Sequence, residues 1–167
     1  DLKTANVLRC SGTYKLCDFG LVRCANVGAG TPSYMAPELL LGQAFNRKVD
    51  VYAFGMCALE MITKQLPYAE CRNATQIYKK VQADVPPDAL ALVPDERAAA
   101  CVRLCVRRAP AARPSASELL AHPFLVPDPA FGETEVKLLA PPRTLAPVAE
   151  RDEYADDYDD SLETLGG

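Results

Sequence analysis

The chain opens Asp1-Leu2-Lys3-Thr4-Ala5-Asn6 (DLKTAN, residues 1–6), and twelve residues after the Asn it reads Asp18-Phe19-Gly20 (DFG, residues 18–20). Between them lie two short apolar stretches, 6–10 and 14–17, joined by Ser11-Gly12-Thr13, which reads as a β-hairpin. A hairpin returns the chain to where it set out, so Asp1, Lys3, Asn6 and Asp18 can converge. Their types suit transfer of a phosphoryl group. A carboxylate orients a hydroxyl and accepts its proton, a cation offsets charge on the transferred group, and hard oxygen donors hold Mg²⁺. DFG alone is commonplace in a surface turn; DLKTAN at this distance upstream makes chance a poor explanation of the pair.

Working outward, residues 18–35 carry glycines and almost no periodicity and read as a long loop. Pro37 before Glu38-Leu39-Leu40-Leu41 suits a first helical turn that Gly42 stops. Asn46 is placed as the cap of a second helix, in which Val51, Phe54, Ala58 and Met61 recur at helical spacing. The opposite face carries Val49, Tyr52 and Met56, so this helix should lie at the centre of the molecule. Helices are also expected over 71–83 and 95–107, and Ser115-Ala116-Ser117-Glu118 is a capping box opening a short helix to about Ala121. The fold class is therefore mainly α with a short β-hairpin, over residues 1–125.

At 167 residues the chain holds one domain of ordinary size. No apolar run reaches the length of a membrane span, no leader peptide opens the sequence, and there is no basic stripe with interleaved aromatics, so nucleic acid is not an expected partner. The seven cysteines show neither zinc spacing nor a disulfide framework, and Cys101 and Cys105 share a helix face as core packing. Reduced thiols point to the cytoplasm. Residues 150–164 contain eight acids and one base, Arg151, leaving 17 bases against 14 acids elsewhere. Together with the prolines between 127 and 147, this marks 126–167 as a disordered Pro-rich and acidic tail. Tyr154 and Tyr158 lie among its carboxylates, and solvated charge is its plainest reading, ahead of a basic partner or a pseudosubstrate role.

DLKTAN followed by DFG resembles the catalytic loop and metal motif of eukaryotic protein kinases, H-R-D-L-K-x-x-N and D-F-G. The resemblance implies the C-terminal lobe of the two-lobed kinase fold, with ATP and Mg²⁺ as cofactors and a Ser/Thr-containing protein as substrate. It implies Asp1 as catalytic base, Lys3 on the γ-phosphate, Asn6 and Asp18 as Mg²⁺ ligands, and Leu8 as the floor of the adenine site. Gly30-Thr31-Pro32-Ser33-Tyr34-Met35-Ala36-Pro37-Glu38 is similar to the substrate-docking loop, with Thr31 bonding Asp1 and Lys3. Asp50 matches the residue that braces the catalytic-loop backbone, and Arg113 the partner of Glu38. Cys17 would face the nucleotide, either as a small buried hydrophobe or as a thiol open to an electrophilic ligand. His122, in His-Pro-Phe, reads as structural.

Within that family, VDVYAFGMCALEMITKQLPYAECRNATQIYKKV (residues 49–81) looks most like the WNK (with-no-lysine) group. Two departures stand out. Phe19 occupies a position where that group usually has a Leu lining a chloride site, which leaves chloride sensing open. Residues 21–29 hold no Ser, Thr or Tyr, so activation by phosphorylation there is not expected. The Gly-rich loop, the lysine and its glutamate partner belong to the N-terminal lobe, which is absent from this chain and expected upstream. The chain alone is then expected to bind ATP weakly and to be inactive, its uncovered upper surface partly apolar. The alternative reading is a non-catalytic, pseudokinase-type interaction module.

Overall fold

A computed structural model of the chain describes residues 1–21 and 30–126. The loop segment 22–29 and the expected tail beyond Val126 lie outside the described residues. A 3-10 turn over Thr4–Asn6 leads into strand β1 (Val7–Cys10), which pairs antiparallel with β2 (Thr13–Leu16). The register sets Cys10 opposite Thr13, so the turn is only Ser11-Gly12, one residue tighter than the sequence suggested. Ser11 and Gly12 both have positive φ, 48° and 81°, as a two-residue hairpin turn of matching twist requires.

Five helices follow among the described residues: α1 (Pro37–Leu40), α2 (Lys48–Thr63), α3 (Ala74–Gln82), α4 (Glu96–Cys105) and α5 (Ala116–Leu119). Gly42, at φ 65°, ends the α1 region as expected. Asn46 does not occupy the cap position itself. Arg47 takes helical dihedrals there, and Asn46 Oδ1 accepts from the Lys48 amide at 2.9 Å, so the same side chain serves from one residue further out. Asn73 and Asp95 cap α3 and α4 through their side chains, and Ser115 with Glu118 forms the reciprocal capping box of α5. That last helix ends at Leu119, and the amides of Ala121 and His122 continue it as single turns onto the carbonyls of Glu118 and Leu119.

Helix α2 is the centre. Met56 and Leu59 are wholly buried, and Tyr52, Ala53, Cys57 and Ala58 join them in a core with Tyr34, Tyr68, Ile77, Val81 and Val102. A second cluster joins Val51 to Cys101, Cys105 and Leu119, the core role expected of the two thiols. Helix α4 lies so close to α2 at Gly55 that a Cβ there would sit 2.6 Å from the Cβ of Cys105. No described helix is long and apolar enough to cross a membrane.

The guanidinium of Arg113, 2% exposed, locks α1 to the start of α2 and the segment after α4. Besides Glu38 it donates to the carbonyls of Arg107, Lys48 and Arg108, so all five of its N–H groups are used. Its Cζ lies 5.0 Å from the centre of the Tyr52 ring. The expected pairing with Glu38 is present. Asp50 is exposed in the first turn of α2, and its carboxylate makes no hydrogen bond among the described residues; the backbone it is expected to brace includes the His-Arg that precedes the Asp in the resembled motif, outside this chain. The segment 1–6 meets α2 instead at Glu60, ten residues and about 15 Å along the helix axis.

Candidate active site

Asp1 and Thr31 are separated by 30 residues of sequence and joined by a hydrogen bond. The Thr31 amide donates to Asp1 Oδ1 at 2.9 Å. Lys3 Nζ lies 2.6 Å from Asp1 Oδ2 and donates to Thr31 Oγ1 at 3.0 Å. One ammonium thus bridges a carboxylate and a hydroxyl on two different loops, in a partly covered setting: the Asp1 side chain is 11% exposed and that of Lys3 24%. The expected trio of Asp1, Lys3 and Thr31 is assembled. Gly30, at φ 117°, allows it, since a Cβ there would stand 3.3 Å from Asp1 Oδ1 and 2.9 Å from the Met35 methyl.

Asn6 is buried at 8% exposure beneath this trio. Its Nδ2 donates to the Asp1 carbonyl at 2.9 Å, which turns the amide oxygen away from the backbone and leaves it able to accept elsewhere. The Asn6 carbonyl accepts from the Cys17 amide at 2.9 Å and from Cys17 Sγ at 3.4 Å. The hairpin ladder therefore extends one rung past β1 and β2, and that rung sets Asp18 immediately after the partner of Asn6. Asp18 itself has φ 59°, the left-handed region, and its Oδ1 accepts from the Gly20 amide at 3.4 Å. Among the described residues its exposed carboxylate makes no other bond. Asn6 and Asp18 are brought to one end of the hairpin through the backbone rather than through contact of their side chains.

Strand alternation puts Asn6, Leu8, Lys15 and Cys17 on one face of the ribbon, since Leu8 pairs with Lys15 and Asn6 with Cys17. Leu8 is 52% exposed, and Leu16 and Phe19 are more open still. That concentration of uncovered apolar surface around the hairpin contrasts with the closed core below it. Cys17 is half-buried. His122, by contrast, accepts from the Phe124 amide at its Nδ1 and closes the turn after α5, a structural role as expected.

A contact among three residues was not foreseen. Glu60 Oε2 accepts from Thr4 Oγ1 at 2.7 Å and from the Tyr34 hydroxyl at 2.6 Å. Burial, and then the bond to Glu60, push the Tyr34 phenol up to about 12. The signal in the sequence was that Glu60 is the one charged residue between Val51 and Thr63, in a helix otherwise made for the core.

The protein kinase domain family matches residues 1–125 of the chain. A serine/threonine-protein kinase of Phycomyces blakesleeanus, pkpA, is 40% identical over 135 residues, which are 77% of this chain and 22% of that protein. A probable serine/threonine-protein kinase of Oryza sativa subsp. japonica, WNK5, is 42% identical over 132 residues, 74% of this chain and 40% of the relative. The mouse serine/threonine-protein kinase WNK3 is 38% identical over 135 residues, 77% of this chain and 8% of the relative. The chain thus spans well under half the length of each of these relatives.

Proposed function

Because the chain belongs to the protein kinase domain family over residues 1–125, we propose that this region is the C-terminal lobe of a serine/threonine kinase that moves the γ-phosphate of ATP to protein hydroxyls. The observation that carries the reading is the trio at the front of the molecule: both oxygens of Asp1 are held, one by the Thr31 amide and the other by Lys3. A carboxylate so fixed keeps free lone pairs in one direction, where it can orient a substrate hydroxyl and take its proton as the new oxygen–phosphorus bond forms. Lys3, within reach of Asp1 and Thr31 alike, offsets negative charge on the transferred group. Thr31 keeps the cation and the carboxylate in register.

The oxygens of Asn6 and Asp18 fit Mg²⁺ by chemical type, a neutral amide and a carboxylate, both hard donors. Asn6 has its amide nitrogen committed to the Asp1 carbonyl, so its oxygen is the free end. Bound Mg²⁺ would neutralise charge on the phosphates of ATP. Leu8 and Cys17 lie on the same ribbon face as Asn6 and would pack against the adenine. The open apolar surface of Leu8, Leu16 and Phe19 supports an N-terminal lobe supplied from upstream of Asp1. Residues 126–167 are proposed as a separate acidic tail. A cytoplasmic setting agrees with the free thiols of Cys10, Cys17, Cys57, Cys71, Cys101 and Cys105.

The test is phosphoryl transfer to a generic basic protein substrate by the protein extended upstream through its N-terminal lobe. Asp1→Asn should lower the rate by about 10²–10⁴, the usual contribution of a positioned base. An unchanged rate removes Asp1 from that role, and an inactive unmutated protein favours the interaction-module reading.

A further inference from the structure

We propose that Arg108 is a positioning residue for the protein substrate, holding α3 against the loop Gly30–Glu38. The inference rests on the kinase reading above and extends it from the transfer chemistry to the binding of the substrate. Helix α3 lies beside that loop. It packs against the turn Pro32–Tyr34, which follows Thr31 directly, and against α1, which begins at Pro37. A protein chain laid along the loop to reach Asp1 therefore has α3 as its neighbour. Yet α3 is held by little apolar surface. It has nine residues, too few for a helix to be stable alone, and only Ile77 and Val81 among them are buried.

Most polar ties of α3 run within its own stretch of chain. Asn73 Oδ1 and Gln76 Oε1 close its first turn, Lys80 Nζ donates to Glu70 and Asp88, and the Tyr68 hydroxyl joins the two flanks at the Val85 carbonyl. These bonds shape residues 68–88, but none of them ties the helix itself to another element. Among the described residues, the hydrogen bonds that do so all come from Arg108. Its Nη1 donates to the carbonyls of Val81, at 2.9 Å, and Gln82, at 3.1 Å. Both belong to the last turn of α3, where carbonyls lack partners within the helix and carry its negative end, so a cation is the fitting donor. Arg108 is fixed in turn. Its carbonyl accepts from Arg113 Nη2 at 2.9 Å, and that same nitrogen donates to Glu38 at 2.7 Å. The far end of the docking loop is thus connected, through Arg113 and Arg108, to the C-terminal end of α3. The apolar contact at Pro32–Tyr34 has no preferred direction and lets α3 slide, whereas the bonds from Arg108 are directional and fix where its end stops.

Arg108→Ala in the upstream-extended protein should raise KM for the generic basic protein substrate by about 3- to 10-fold, the span of one net hydrogen bond. The kcat and KM for ATP should stay as they are, because the trio of Asp1, Lys3 and Thr31 makes no bond to Arg108. A single nitrogen makes both bonds to α3, so Arg108→Lys, whose ammonium can do the same, should recover part of the loss. Arg97→Ala serves as the charge control: it removes from α4 a cation whose partner is Asp95, and should leave every constant alone. Hydrogen exchange on the 167-residue chain should show α3 exchanging faster in Arg108→Ala, with α2 and α4 unchanged. An unchanged KM for the protein substrate in an active Arg108→Ala enzyme overturns the proposal. So does an equal rise in Arg97→Ala, a loss confined to kcat or to KM for ATP, or α3 exchange that does not change. Inactivity of the unmutated enzyme instead overturns the kinase reading, and the exchange experiment then still decides whether Arg108 holds α3.

Discussion

Arg113 and Glu38, 75 residues apart in sequence, meet through two parallel bonds of 2.6 and 2.7 Å, with both side chains almost wholly out of solvent. Truncating one member strands the other as a buried charge. Glu38→Ala should therefore cost about 3–5 kcal/mol, read as a shift of the urea unfolding midpoint. Arg113→Lys should not rescue, because an ammonium supplies three donors where five are used. A loss below about 1 kcal/mol for Glu38→Ala would show that the guanidinium finds another partner or water.

Thr31 contributes a hydroxyl and an amide to the site, and the two can be separated. Thr31→Val removes only the acceptor for Lys3. A hydrogen bond to a charged group is worth about 1.5–3 kcal/mol, so kcat in the upstream-extended protein should fall by roughly 10- to 100-fold. Thr31→Ser keeps the hydroxyl and should stay within a few-fold of the parent. Equal losses in both variants would assign the effect to the methyl group and its packing.

Helix α4 approaches α2 over the bare Cα of Gly55. Alanine is the better helix former at an open site, by about 1 kcal/mol. Here its methyl would lie 2.6 Å from Cys105 Cβ and 2.9 Å from a Val106 methyl. Gly55→Ala should therefore destabilise, by about 1–3 kcal/mol, despite its higher propensity. A rise in melting temperature would mean that α4 can slide away without cost.

Much of this architecture could be read in advance, because its signals are local. The β-hairpin itself (though not its turn length), the Ser115–Glu118 box and the apolar circumference of α2 each depend on residues a few positions apart. Helix limits were less legible. The α2 start differs from the Asn46 expectation because a side chain can cap from one residue further out when Arg47 takes helical dihedrals. The site divided along the same line. Asp1, Lys3, Asn6 and Asp18 stand in recognisable spacing, whereas Glu60 acquires its role only when Thr4, Tyr34 and α2 are packed together.

The buried thiols make the fold sensitive to alkali. Burial pushes Cys57 and Cys105 from an ordinary 9.0 up to about 12. Below pH 9 both thiols are protonated, folded or unfolded, and their contribution to stability is fully present. Between about 9 and 12 the unfolded chain releases these protons and the folded chain does not, so unfolding gains ground with each step in pH. The contribution is lost as pH rises through the folded values. Each such thiol should tilt stability by about 1.4 kcal/mol per pH unit in that window. Cys105→Ala removes one of them. Its stability at pH 8 will be lower than the parent's, since a well-packed sulfur is gone. Its further decline between pH 8 and pH 10.5, however, should be about 2 kcal/mol smaller than the parent's. Lys80 with its two carboxylates is common to both proteins and cancels in the comparison, whereas Cys101, whose thiol interacts with that of Cys105, is the neighbour whose own ionisation the substitution touches. Urea midpoints at the two pH values measure the difference, and parallel declines in parent and variant would show that Cys105 ionises as readily in the fold as out of it.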